Sequence, residues 1–103
     1  MARVVLASSA DADTDFILAD LAAKSGGRTA AKYDREFDQL YDRLAAHPGI
    51  GAPRPGVGRN IRIGIVSPYL ILYRYDPVDD TVTVLRLVHG RRRITDKLLS
   101  ETP

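Results

Sequence analysis

Three apolar runs in the second half of the chain carry its most regular pattern. Ile61, Ile63 and Ile65 alternate with Arg62, Gly64 and Val66, which predicts a strand with one plainly apolar face and one that carries Arg62. Ser67-Pro68 breaks that run. The next, over 69–75, is apolar at both parities, as expected of a central strand covered on two sides or facing a partner. Asp76-Pro77-Val78-Asp79-Asp80 is a strong turn signal. The third run, 81–89, places Val82, Val84, Arg86 and Val88 on one side and Thr81, Thr83, Leu85, Leu87 and His89 on the other. Arg86 interrupts an apolar face, so it must reach the rim, pair with a carboxylate or serve a site, since a lone buried guanidinium is very costly. The connections are too short for crossover helices, so the runs form an antiparallel meander.

The first half reads as cover for that sheet. A short β-prone run at 4–7 predicts a strand at a sheet edge or paired with a later strand. Asp11, Asp13 and Asp15 then offer helix N-terminal chemistry, because carboxylates near a first turn meet free N–H groups and the positive dipole end. Phe16, Ile17, Leu18, Leu21 and Ala22 supply one apolar side to a helix running to about Lys24, which Ser25-Gly26-Gly27 stops. A second helix is expected from near Thr29, a candidate N-cap. Its Tyr33, Phe37, Leu40, Tyr41 and Leu44 recur at i, i+4, i+7, i+8 and i+11, the spacing of one helical face. A connection of about four residues makes the two an antiparallel hairpin. Segment 47–58 holds three of the six prolines and four of the eight glycines, so it is an irregular loop, and His47 stands at the helix end, where it can meet free carbonyls. Ile94, Leu98 and Leu99, with Thr95 and Asp96 before them, suit a short C-terminal helix. The fold class is α+β in the order β-α-α-β-β-β, with a two-helix hairpin packed on a mainly antiparallel sheet and a short C-terminal helix, as one domain over 1–103.

Composition narrows the chemistry. There are no cysteines, so disulfides and thiolate metal sites are excluded, and no apolar run approaches the roughly 20 residues of a membrane-spanning helix. The start of the chain lacks a secretion signal, which makes the cytoplasm the expected location. The three early aspartates lack the glycine and later glutamate of a calcium loop, and the glycines of 47–58 lack a phosphate-cradling motif, so neither metal nor cofactor is expected. Net charge is +2, but residues 1–52 hold six Lys/Arg against eight Asp/Glu while residues 53–103 hold nine against five. Between Arg54 and Tyr75 there are four arginines and no acid. Such a field either favours an anionic partner or is a solvated basic surface.

Candidate site residues concentrate on the sheet. Binding an anion and moving a proton call for cations, a base and an acid. Arg62, Arg74, Arg86, Tyr69, Tyr73, His89 and Arg91 are the side chains that can supply these. Each also has a plainer role: outward strand residue for the arginines, packing for Tyr69, Tyr73 and Tyr75, a strand-end residue for His89, and a basic turn for Arg91, Arg92 and Arg93.

The element order, together with His-Pro-Gly-Ile-Gly-Ala-Pro-Arg-Pro at 47–55, Ile-Arg at 61–62, Tyr-Leu-Ile-Leu-Tyr-Arg at 69–74 and Val-Leu-Arg-Leu-Val-His-Gly-Arg-Arg at 84–92, resembles the ParE/RelE family of bacterial type II toxins. The resemblance spans nearly the whole chain. It implies a toxin neutralised by a cognate antitoxin that wraps an extended or helical segment over its surface, in a hetero-oligomer that meets DNA only through the antitoxin. RelE-like members are ribosome-dependent mRNA endonucleases; ParE-like members inhibit DNA gyrase. No lysine occurs between Lys32 and Lys97, so the lysine-rich sheet surface of the ribonuclease branch is missing, and the chain is closer to ParE. On the ParE reading no residue is catalytic, and Arg59, Arg62, Arg74, Arg86, Arg91, Arg92 and Arg93 contact target or antitoxin. On the RelE reading Arg62, Arg74, Tyr73, Arg86, His89 and Arg91 form the catalytic set.

Overall fold

The computed structural model describes residues 1–91 and Leu99. The N-terminal run forms β1 (Arg3–Leu6), followed by α1 (Ser8–Ser25) and α2 (Gly27–Ala46). The loop after α2 contains a two-residue strand, β2 (Ala52–Pro53), and the apolar runs form β3 (Ile61–Val66), β4 (Tyr69–Asp76) and β5 (Thr81–His89). The sheet order is β1-β5-β4-β3-β2, and every pair is antiparallel except β1 with β5. β2 adds a strand to the order read from sequence. Two residues containing a proline give no alternation to read, and Pro53 is tolerated because it lies at the sheet edge.

Both helix starts differ from expectation. α1 begins at Ser8, and the Ala7 carbonyl, not an aspartate side chain, accepts the Asp11 N–H at 3.0 Å. Only Asp11 lies in the first turn. α2 begins at Gly27, not near Thr29, so a single residue joins the helices. That residue is Gly26, at φ +92°, which an L side chain rarely adopts. Its N–H closes on the Ala22 carbonyl at 3.1 Å while its own carbonyl accepts the Ala30 N–H at 3.2 Å, so one glycine ends one helix and starts the next.

The apolar stripe of α2 packs as its spacing predicts: Phe37, Leu40 and Leu44 are buried, and Tyr33 and Tyr41 are partly so. α1 behaves differently. Ala10 and Ile17 are seven residues apart and both buried, whereas Phe16, one residue and about 100° away from Ile17, is 72% exposed. Expected in the core, Phe16 is at the surface.

The helices cover one face of the sheet, where they bury Ile71, Tyr73, Val82, Val84 and Leu87. A second cluster fills the other face, with Val57, Ile61, Ile63, Leu72 and Val88 and the partly buried Leu70, Leu85 and Leu99. Burial on both sides is why β4 is apolar at both parities. A register shift lies between Leu72, opposite Arg86, and Tyr73, opposite Val84, which makes Leu85 the extra residue of a bulge. The alternation read across 81–89 therefore breaks there. Val82 and Val84 share the helix side with Leu87, while Leu85 and Val88 belong to the other. The rest of the expected C-terminal helix, including Ile94 and Leu98, lies outside the described residues. Among those described, no helix is long and apolar enough to cross a membrane.

Candidate functional site

The candidate residues are distributed over four separate places. The first is the edge of β5. β1 accompanies β5 only as far as Val84, whose carbonyl accepts the Ala7 N–H at 2.9 Å. Beyond that point α1 lies against the strand, and Asp13 takes over the edge. Asp13 Oδ2 accepts the Arg86 Nε–H at 2.7 Å and the Leu87 N–H at 2.9 Å, while Oδ1 accepts from Arg86 Nη2 at 2.9 Å. Arg86 is buried, so of the roles open to it in sequence the carboxylate pairing is the one it takes. The partner comes from 73 residues away, and no local pattern signals it.

The second place is the loop after α2. Tyr73, fully buried on β4, donates its hydroxyl to the Pro48 carbonyl at 2.8 Å and accepts the Gly51 N–H at 2.9 Å. Arg62, opposite Tyr73 in register, donates through Nη1 to the Gly51 carbonyl at 2.7 Å and the Gly49 carbonyl at 3.1 Å. The two side chains hold the loop onto the sheet. His47 ends α2 through its backbone N–H, 2.8 Å from the Arg43 carbonyl. Burial pushes the Tyr73 phenol above its usual pKa, against the opposing effects of the Gly51 N–H and Arg62. It stays protonated at neutral pH. Tyr73→Phe is expected to cost about 1–3 kcal/mol, because it strands the buried Gly51 N–H, and urea unfolding measures the loss.

The third place is the end of β5. His89 is exposed, and its ring meets Tyr69 edge-on with centroids 5.9 Å apart. Tyr69 packs edge-on against Tyr33 and Phe37 of α2 at 5.6 and 5.8 Å. His89 Nδ1 accepts the Arg91 N–H at 3.1 Å, which selects the neutral tautomer with its proton on Nε2. The outer nitrogen is then a hydrogen-bond donor. The Tyr69 phenol is also raised, by burial first, then by Tyr33 and the Asp20 charge, with Lys24 opposing. Phe16, Asp20, Leu87 and Val88 complete a groove of about 280 Å³ beside this pair. Neither Phe16, read from sequence as a core residue, nor Asp20 is among the candidate site residues. An aromatic one position off the buried stripe is the signal that marks Phe16.

The fourth place, toward the opposite end of the sheet, holds Arg59 and Arg74. Arg59 and Arg74 are exposed, and Arg74 Nε donates to the Arg59 carbonyl at 3.2 Å. Tyr69 is opposite His89, while Arg74, five residues further along β4, is opposite Thr83. At roughly 3.4 Å per residue, Arg74 and His89 are about 17 Å apart along the strand. Arg91 is exposed in the turn after β5, and Arg92 and Arg93 lie outside the described residues. Among the described residues no cluster of histidine, aspartate or glutamate can hold a metal ion.

A family profile described as the ParE toxin of the type II toxin-antitoxin system, parDE, matches residues 4–94. This chain belongs to the ParE toxin family. It is 28% identical to Toxin ParE3 of Caulobacter vibrioides over 102 residues, covering 99% of this chain and all of that protein. It is 30% identical to Toxin ParE1 of the same organism over 84 residues, covering 82% and 84%. A chain of the chromosomal ParDE toxin-antitoxin system from P. aeruginosa superposes with a TM-score of 0.72 at 21% identity, covering 86% of this chain and 96% of that one. A chain of the RelBE2 toxin-antitoxin complex from Mycobacterium tuberculosis gives 0.62 at 22%, covering 85% and 96%. The α+β architecture of this ParE-family toxin is thus shared with solved toxin-antitoxin complexes.

Proposed function

We propose that this ParE-family toxin acts by binding a protein target, DNA gyrase, and is neutralised by a cognate antitoxin that covers its surface. The observation that supports this reading is the dispersal of the residues an RNA-cleaving site would require. Tyr73 and Arg62 hold a loop, Arg86 is paired with Asp13, and Arg74 lies about 17 Å along the sheet from His89. One phosphate cannot meet them together. The groove beside His89 is floored by apolar side chains and carries the Asp20 carboxylate, a lining better matched to a protein surface than to a polyanion. Of the candidate arginines among the described residues, Arg59, Arg74 and Arg91 are the exposed ones.

The test pairs a gyrase supercoiling assay with a translation-coupled RNA cleavage assay on the same purified toxin. Supercoiling is expected to fall with added toxin while mRNA stays intact. His89→Ala is expected to keep inhibition within about threefold, as for a residue at the rim of a contact. Cleavage of mRNA in the ribosomal A site with supercoiling unaffected would overturn the proposal.

A further inference from the structure

The sheet face turned away from the helices carries a basic patch that extends the place held by Arg59 and Arg74. Register defines it. Arg74 is opposite Ile61 on one side and Thr83 on the other, and Thr83 is opposite Val5 in turn. The Arg54 N–H, 2.8 Å from the Ile61 carbonyl, continues the β2 ladder, so one row runs across the sheet from Arg54 to Val5. Ile61 belongs to the second apolar cluster, which places the row on that face. Arg3, two residues before Val5, shares it, and the Arg59 carbonyl is held by Arg74 Nε at 3.2 Å. Arg3, Arg54, Arg59 and Arg74 are all exposed, and none is in an ion pair among the described residues. With strands about 4.8 Å apart, Arg54, Arg74 and Arg3 follow one another at spacings of roughly 10–12 Å. Asp76 is the one carboxylate on the described strands of this face, and its Oδ1 already accepts the Val78 N–H at 2.9 Å. The helix side has the opposite sign, with Asp34, Asp38 and Asp42 repeating along the exposed face of α2. A polyanion is therefore drawn to one side of the molecule and repelled from the other.

We propose that this arginine patch is a binding surface of the toxin's own for the phosphate backbone of duplex DNA. Guanidinium forks suit phosphate oxygens, and backbone binding needs cations without base-reading groups. Their spacing is comparable with the roughly 12 Å across a major groove, so the side chains can reach phosphates of both strands. A single strand calls for something this face lacks, since its bases are held by stacking on aromatic rings. None of the seven aromatic side chains lies here: the five tyrosines and Phe37 pack in or against the helix-side cluster, and Phe16 is on α1. The choice of DNA over duplex RNA rests on the gyrase reading, because an inhibitor docked on gyrase stands beside the duplex that enzyme handles. The family resemblance implies contact with DNA only through the antitoxin; this surface adds a direct one.

Fluorescence anisotropy of a short labelled DNA duplex, titrated with the purified full chain over a series of salt concentrations, tests the proposal. Affinity is expected to fall with salt at a log–log slope of about −3, as for three to four phosphates neutralised at roughly 0.9 each. Arg54→Ala and Arg74→Ala should each weaken binding roughly two- to fivefold and reduce the slope by about one. Asp76→Asn keeps the acceptor for the Val78 N–H and should tighten binding by a similar factor, whereas Arg35→Ala, on the exposed face of α2, should leave it unchanged. The triple variant Arg54→Ala/Arg59→Ala/Arg74→Ala should bind no duplex while keeping the circular dichroism of the parent. Binding that survives the triple variant, no binding even at low salt, or tighter binding to single-stranded DNA or duplex RNA would overturn the proposal. Stronger competition by polyglutamate than by unlabelled duplex at matched charge would do so too, since it marks a surface for an acidic protein. The assay contains no gyrase. Supercoiling inhibition without duplex binding therefore removes the DNA contact alone, and duplex binding without inhibition removes the gyrase reading while the surface stands.

Discussion

Replacing Arg86 with methionine is expected to destabilise the fold by about 3–5 kcal/mol. Arg86 is 6% exposed, and its guanidinium donates to both oxygens of Asp13, at 2.7 and 2.9 Å. Without it the Asp13 carboxylate, whose side chain is 13% exposed, keeps the Leu87 N–H but loses its counter-charge. Domains of this size are stable by about 5–15 kcal/mol, so the variant forfeits a large share of the total. Its Tm should fall by more than about 12 °C, at roughly 4 °C or more per kcal/mol. Urea and thermal unfolding followed by circular dichroism measure both. Asp13→Leu is expected to be destabilised as well, whereas the double variant Asp13→Leu/Arg86→Met should recover the part of the loss that comes from an unpaired buried charge and keep about 1–3 kcal/mol for the Leu87 N–H left without its acceptor. Simple addition of the two single losses would mean that the residues do not act as a pair.

Gly51→Ala is expected to cost close to 3 kcal/mol, the upper end of the range for overpacking. A Cβ at this position would stand 2.6 Å from the Tyr73 hydroxyl, 2.7 Å from the Ile63 carbonyl and 2.8 Å from the Tyr73 ring. One obstacle is strand backbone and the others belong to a fully buried side chain, so the loop must move instead. Movement breaks the bond from the Gly51 N–H to the Tyr73 hydroxyl, the bond from Arg62 to the Gly51 carbonyl and the pairing of Ala52 with Ile63. Hydrogen exchange at the Gly51 and Ala52 amides should accelerate in step with the lost stability. Gly64→Ala is the comparison. There the added Cβ meets only the Leu40 side-chain tip at 3.1 Å, which can turn aside, so its cost should be smaller. The reverse order of costs would show that the loop is not tied as described.

The periodic elements were legible because burial imposes a repeat on sequence. The α2 stripe, the buried Ile61 and Ile63 of β3 and the two-sided apolarity of β4 reappear in the structure, whereas Ile65, read onto the same apolar face, is exposed. The family resemblance was legible for the same reason, since it rests on the order and spacing of those elements. Elements without a repeat were not. β2 is two residues long, and the start of α2 turns on the backbone conformation of Gly26. The bulge at Leu85 inverts the sides assigned to the last residues of β5, and nothing in a run of valines and leucines marks where a ladder takes up an extra residue.

The candidate site divides in the same way. Residue types that can bind anions or move protons were visible in the chain: Arg62, Arg74, Arg86, Tyr73, His89 and Arg91. By itself the sequence determined the α+β class, the family, the excess of basic residues after position 52 and the absence of thiol chemistry. Only the tertiary structure decided which of those residues are engaged in holding the fold. Tyr73 and Arg62 are occupied by carbonyls 11 to 25 positions away, and Arg86 by a carboxylate 73 positions away. A hydrogen bond depends on distances of about 3 Å in space, while local patterning reports only neighbours within a few turns or strands. Spacing along the chain can propose a side chain's chemistry, and the partners brought in from distant segments decide whether that chemistry is free to act.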